Sequence, residues 1–123
     1  MLSVGVDIVD VSRIARACER WGERFLSRIY TQQELARYRD RVPELAVRFA
    51  AKEAISKALG TGMNHGVAWR QLEIAREPGQ APRLELHGAA AEHGERLGVA
   101  CTWVSLAHDR HHAVATVILE GKG

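Results

Sequence analysis

The chain has 123 residues, 46% hydrophobic and 26% charged, which suits one globular domain over residues 1–123 and excludes two well-cored ones. Its net charge of +2 lacks the dense Lys/Arg blocks of a nucleic-acid binder, and no stretch reaches the roughly 20 apolar residues of a membrane span. Cys18 and Cys101 are isolated and suggest neither a disulfide framework nor a zinc set, and the first residues show no basic leader, so a cytoplasmic protein without nucleic-acid or membrane partners is expected.

Leu2 to Val9 is rich in valine and isoleucine and reads as a buried strand. Asp10 stands where a helix N-cap belongs, its carboxylate placed to accept from the following turn, and Val11 to Trp21 keeps helical spacing up to Gly22. A short basic and apolar stretch, Phe25 to Ile29, precedes Thr31 and Glu34, which form a capping box opening a helix through Arg39. Pro43 separates it from the next helix, Glu44 to Leu59, which Gly60-Thr61-Gly62 stops. Val67 to Arg76 and Arg83 to His87 read as a hairpin around the turn Glu77 to Pro82. Ala89 to Leu97 is a short helix ended by Gly98, and Val99 to Ala107 and Ala113 to Leu119 are strands around the polar turn His108 to His112. The sum is an α+β domain with helices packed on a small, largely antiparallel sheet.

On a wheel of 3.6 residues per turn the Glu44–Leu59 helix puts Val47, Ala50, Ala51, Ala54, Ile55 and Ala58 on one face and Arg48, Lys52, Glu53, Ser56 and Lys57 on the other. The alanine face lets a neighbouring backbone approach closely. Two readings of the polar face stand open: a solvated surface with a Glu53–Lys57 pair, or a phosphate cradle in which the cations supply charge and Glu53 one hard oxygen to a divalent ion. Asp7, inside an apolar strand, marks either the strand's exposed end or a second oxygen ligand for octahedral Mg²⁺. His108, His111 and His112 invite a zinc hypothesis, but a phosphate contact or turn role suits His108 better, since no second Cys/His cluster and no HExxH pattern accompany it.

Three blocks, GVDIV at Gly5 to Val9, RFAAKEAISKALGTG at Arg48 to Gly62 and SLAHD at Ser105 to Asp109, resemble in order and spacing the signatures of holo-acyl-carrier-protein synthases; YTQQEL at Tyr30 to Leu35 extends the likeness. The resemblance implies the short, homotrimeric class of 4′-phosphopantetheinyl transferases, with active sites between subunits and a role in fatty acid biosynthesis. It implies Mg²⁺ at Asp7 and Glu53, catalytic roles for Glu53 and Lys57, and a coenzyme A site along Arg48, Lys52, Ser56, Lys57 and Gly60, with Ser105 and His108 nearby. It implies an acidic acyl carrier protein as partner, docking on Arg13, Arg16, Arg20, Arg24 and Arg28 beside Phe25 and Ile29; the same arginines also fit a solvated amphipathic face. Two positions depart from the family pattern: Ser3 replaces a common glycine, and Ala107 replaces a small hydroxyl residue before His108. Competing readings are a metal-dependent nucleotide phosphohydrolase, which would release phosphate without a protein acceptor, and a scaffold that binds carrier protein without Mg²⁺.

Overall fold

The computed structural model describes residues 1–64 and 66–122. Three long strands, β1 (Leu2–Asp10), β4 (Val99–His108) and β5 (His112–Gly121), form an antiparallel sheet in the order β1-β5-β4. One face of that sheet carries the longest helix, α4 (Val42–Leu59), and β2 (Leu72–Ala75) with β3 (Arg83–Leu86) forms a separate antiparallel hairpin beside it. The helices α1 (Val11–Trp21), α2 (Glu23–Ile29), α3 (Gln32–Tyr38) and α5 (Gly88–Leu97) close the core. This is the expected α+β architecture.

The seam between sheet and helix follows from small residues on both sides. Ala50, Ala51, Ala54 and Ala58 of α4 are buried, as are Ala113, Ala115, Val117 and Leu119 of β5. On β1 the inward positions are Ser3, Gly5, Asp7 and Val9, by the strand's period of two. A Cβ at Gly5 would collide with the Ala54 carbonyl oxygen and lie 3.2 Å from Ala58 N. Ser3 uses its departure from glycine to donate from Oγ to Ala58 O at 2.6 Å. Gly5→Ala is therefore expected to force the strand off the helix and destabilise the fold by about 3 kcal/mol, read as a lowered denaturant midpoint with an unchanged slope.

Several local expectations change. Asp10 does occupy the N-cap of α1, but its carboxylate makes no capping bond. Instead Val11 N donates to His111 O at 2.8 Å, and Asp10 Oδ1 lies 3.5 Å from His112 Nε2. Pro43 does not separate helices: it sits in the first turn of α4, where its missing N–H has no intrahelical partner to lose. Phe25 to Ile29 belongs to α2, divided from α1 by Gly22 at φ 53°. The strand expected from Val67 shrinks to Leu72–Ala75, because Trp69–Gln71 winds into a 3₁₀ turn that stacks the Trp69 ring on Phe49, 4.9 Å between centroids. Thr31 and Glu34 form the reciprocal capping box as read.

The largest difference is at β1. The valine- and isoleucine-rich strand is covered on one face only, and Leu2, Val4, Val6 and Ile8 are 55–68% exposed. Register places Val4, Ile118 and Trp103 in one row across the sheet, and Ile8, Val114 and Ala107 in another. Trp103 is 59% exposed. A run that reads as two-sided burial thus meets its own core on one side and leaves a contiguous apolar face on the other.

Candidate active site on strand β1 and helix α4

Asp7 interrupts the apolar strand where β1 faces the C-terminal half of α4. Lys57 Nζ donates to Asp7 Oδ1 at 2.9 Å and to the Val6 carbonyl oxygen at 3.2 Å. The strand does not end at Val6, since Asp7 pairs with Ala115 in the middle of the ladder. Glu53 stands one helical turn before Lys57, on the same side of α4. Burial pushes its carboxyl pKa above the ordinary value, the neighbouring Asp7 charge adds to the rise, and Lys57 and Arg13 oppose it. Lys57, with its side chain 53% exposed, has its pKa raised by the hydrogen bond to Asp7.

The donor set fits a hard divalent cation. Two carboxylates near enough to raise a pKa, with the Val6 carbonyl oxygen beside them, present oxygens alone, as Mg²⁺ requires. Such an ion would relieve the repulsion that Lys57 partly offsets here. Among the described residues a three-ligand grouping falls elsewhere, at Glu73, Glu85 and His87. The histidines of the β4–β5 turn make no such group: His112 lies 3.5 Å from Asp10 and 3.8 Å from Asp109, whose carboxylate accepts from the amides of His111 and His112.

The polar face of α4 is not one surface, and this corrects the helical-wheel reading. Arg48, Lys52 and Ser56 are buried, with at most 1% exposure. Arg48 Nη1 donates to Glu44 Oε1 at 2.9 Å while its guanidinium lies 3.8 Å from the Tyr38 ring centre, and its Nε and Nη2 are enclosed without a hydrogen-bond partner among the described residues. Lys52 pairs with Glu34 at 2.8 Å. Ser56 Oγ bonds back to Glu53 O at 2.8 Å. Within this chain, then, Lys57 meets Asp7 and Glu53 lies within reach of the Asp7 charge, whereas Arg48, Lys52 and Ser56 point into the fold. Gly60 terminates α4 in the left-handed conformation, φ 79°, and its N–H closes on Ser56 O and Lys57 O.

Ser105 and His108 lie apart from this cluster. Ser105 pairs with Thr116 and faces outward in the row of Val6. His108, at the end of β4, lines a hollow of about 400 Å³ with Ile8, Ala107, Asp109, His112 and Val114. Among the described residues no hydrogen bond or ion pair joins either of them to Asp7, Glu53 or Lys57.

The arginines of α1 and α2 are all exposed. Arg24, Phe25 and Arg28 line a groove of about 540 Å³ with Trp21, Ile29 and Trp69. Arg13 lies over the Phe49 ring at 5.4 Å, and Arg20 over Trp21 at 5.0 Å. Phe25 is half-buried against Tyr30 and Phe49, and Ile29 is buried. Ile29 thus contributes to the core and Phe25 partly so, and a cationic, aromatic-lined groove lies above them.

A connection that sequence reasoning missed is a polar network behind the site. Thr31 Oγ1 donates to Glu73 Oε2 at 2.7 Å, and Glu73 Oε1 meets His87 Nε2 at 2.8 Å. Glu34 accepts from Thr31 N and Ile74 N, each at 2.9 Å, and pairs with Lys52. The capping box revealed Thr31 and Glu34, but only the tertiary fold brings β2 and α4 to them.

The family profile of the 4′-phosphopantetheinyl transferase superfamily matches residues 3–117. The holo-[acyl-carrier-protein] synthase of Koribacter versatilis is 47% identical over 123 residues, covering 98% of both chains. That of Halorhodospira halophila is 50% identical over 119 residues, 94% of each. Among solved structures, the Neisseria meningitidis holo-[acyl-carrier-protein] synthase superposes with a TM-score of 0.87 at 33% identity, covering 96% of this chain and 97% of that one. The Helicobacter pylori enzyme, solved in complex with coenzyme A, gives 0.86 at 30% identity, with 95% and 99% covered. Coverage end to end, at this identity, means that the chain belongs to the holo-[acyl-carrier-protein] synthases of the 4′-phosphopantetheinyl transferase superfamily.

Proposed function

We propose that this chain, as one transferase domain over residues 1–123, moves 4′-phosphopantetheine from coenzyme A to a serine hydroxyl of apo acyl carrier protein and releases 3′,5′-ADP, in support of fatty acid biosynthesis. The observation that carries the reading is the convergence of Asp7, Glu53 and Lys57 from two elements, in a chain whose relatives bear that enzyme's name. Serine oxygen attacks the β-phosphorus, the bridging bond to the α-phosphate breaks, and the α-phosphate leaves with the nucleoside. Asp7 and Glu53 would hold Mg²⁺, which would supply charge neutralisation to the transfer. The half-exposed Lys57 ammonium, beside Asp7, supplies positive charge to the phosphate being transferred. Glu53, directly or through a water, accepts the serine proton.

The apolar outer sheet supports assembly as a homotrimer with sites between subunits. Ser105 and His108 stand on or beside that face, away from the chain's own Asp7, so a second copy seated there would bring them to a neighbour's cluster. Covering Val4, Val6, Ile8 and Trp103, with Ile118 between them, would remove a contiguous exposed apolar surface from water. Arg48, Lys52, Ser56 and Gly60 then act from within and behind the coenzyme A wall. No helix among the described residues is long and apolar enough to cross a membrane, which accords with a cytoplasmic enzyme.

The groove of Arg24, Phe25 and Arg28, flanked by Arg13 and Arg20, suits an acidic carrier protein that brings apolar side chains to Trp21 and Trp69. Charge reversal at Arg24 and Arg28 together is expected to raise the KM for carrier about tenfold and flatten its salt dependence, leaving coenzyme A affinity unchanged.

The reading is tested by following labelled phosphopantetheine from coenzyme A onto apo acyl carrier protein with and without Mg²⁺. Mg²⁺-dependent labelling is the expected result; release of free phosphate without labelling would instead indicate the phosphohydrolase, and carrier binding without turnover the scaffold.

A further inference from the structure

Lys52 is next to Glu53 in sequence, yet its side chain runs the other way. Its ammonium has three donors and three acceptors around it: Leu72 O at 2.7 Å, Glu34 Oε1 at 2.8 Å and Trp69 O at 3.2 Å. Neither Lys52 nor Glu34 is more than 2% exposed. Glu34 is itself held by two backbone amides, one on its own helix cap and one on β2.

The remaining packing of α4 explains why such a device has work to do. Where it meets β1 the helix presents Ala54 and Ala58, which fix how near it lies, while Leu45, Val47, Phe49, Ile55 and Leu59 are buried around it as non-directional packing. Polar bonds add directional restraint: Tyr30 Oη to Leu45 O at 2.7 Å near the helix start, Ser3 Oγ to Ala58 O and His93 Nε2 with Leu59 O at its end, and Lys52 in between, adjoining Glu53. Lys52 alone of these joins α4 to α3, β2 and the Trp69 turn at once.

We propose that the buried Lys52–Glu34 pair sets the rotation and register of α4, and so places Glu53 and Lys57 at Asp7; Lys52 is a positioning residue and touches no ligand. This rests on the transfer reading above. A displacement near 1 Å at a reacting group costs about 10- to 100-fold in rate, so Lys52→Met is expected to lower kcat by that factor. Coenzyme A affinity by calorimetry stays within about twofold of wild type, because no ligand contact is lost. Adding Glu34→Gln removes the unpaired buried charge and so recovers stability, but the ion pair is still absent, so kcat of the double variant stays about tenfold below wild type.

The measurement is kcat, KM and calorimetric coenzyme A affinity for Lys52→Met, Glu34→Gln and the double variant, each checked by circular dichroism. Tenfold weaker coenzyme A binding in Lys52→Met that Glu34→Gln does not repair would overturn the proposal, as a direct ligand contact behaves that way. Wild-type kcat in folded Lys52→Met would overturn it too. If the single variants do not fold, the neutral double variant carries the test: kcat lowered about tenfold with unchanged affinity supports positioning, and wild-type kcat or a tenfold loss of affinity overturns it. Wild-type protein that transfers nothing would sink the transfer reading instead; the positioning is then read in crystals of the double and Lys52→Met variants, where a Lys57–Asp7 separation still at 2.9 Å in either overturns it and a displacement of α4 in both supports it.

Discussion

Glu53→Gln is expected to lower kcat for phosphopantetheine transfer by about 10³-fold, the scale of losing a positioned base together with one of two anionic oxygens. Glutamine keeps the length and volume, so the loss isolates charge. Asp7→Asn should cost about 10²-fold and also free Lys57, whose hydrogen bond at 2.9 Å depends on that carboxylate. Rates at saturating coenzyme A and carrier, across a Mg²⁺ titration, separate the roles: a raised half-saturating Mg²⁺ reports a lost oxygen ligand, and a fall that excess Mg²⁺ does not repair reports the base. Full activity in folded Glu53→Gln would remove this glutamate from the mechanism.

The same carboxyl gives a pH signature with a defined sign. Burial, and then Asp7, raise its pKa above the ordinary value of 4.5, so the folded protein holds this proton more tightly than the unfolded chain does. Folding stability contributed by Glu53 is therefore present at low pH and falls as pH rises from about 4.5 through the folded-state pKa. Glu53→Gln removes that term, so without Mg²⁺ the variant should melt no lower than wild type at neutral pH. Mg²⁺ favours the ionised carboxylate, so wild type should gain more thermal stability from it than the variant, and the Mg²⁺ required should increase as pH falls.

How much of this was legible depends on the reach of each signal. Short-range chemistry was readable: the capping box at Thr31 and Glu34, the glycine stops at Gly60 and Gly98, and the alanine stripe that predicts a close helix–strand seam. The seam explains Gly5 too, since the Ala54 carbonyl occupies the space a side chain there would need. What failed required knowing the third dimension. A helical wheel separates polar from apolar residues, but cannot say that Lys52 and Arg48 would meet Glu34, Glu44 and Tyr38 inside the fold. Asp7 and Glu53 were suggested by an expensive carboxylate and a family likeness; that Lys57 would bridge from α4 to the strand was visible in neither.

The valine run of β1 carried a different message from the one its composition suggested. It predicted burial on both faces, and the single chain provides one. If the other is covered by neighbouring copies, the sites are shared, and mixing inactive subunits must restore activity. Glu53→Gln and His108→Ala variants, each purified separately, unfolded and refolded together in equal amounts, should regain about a quarter of wild-type activity. With random assembly each interface has a one-half chance of an intact Glu53 and an independent one-half chance of an intact His108 across it. Variants refolded alone should stay inactive, and each should remain trimeric by light scattering. No recovery from a mixed trimer would place Glu53 and His108 in the same subunit's site or His108 outside it. Val6→Glu supplies the companion measurement: a charge buried in the centre of the outer face should dissociate the assembly and abolish transfer while Asp7, Glu53 and Lys57 remain in place. A monomer that kept full activity would show that the apolar face serves another partner.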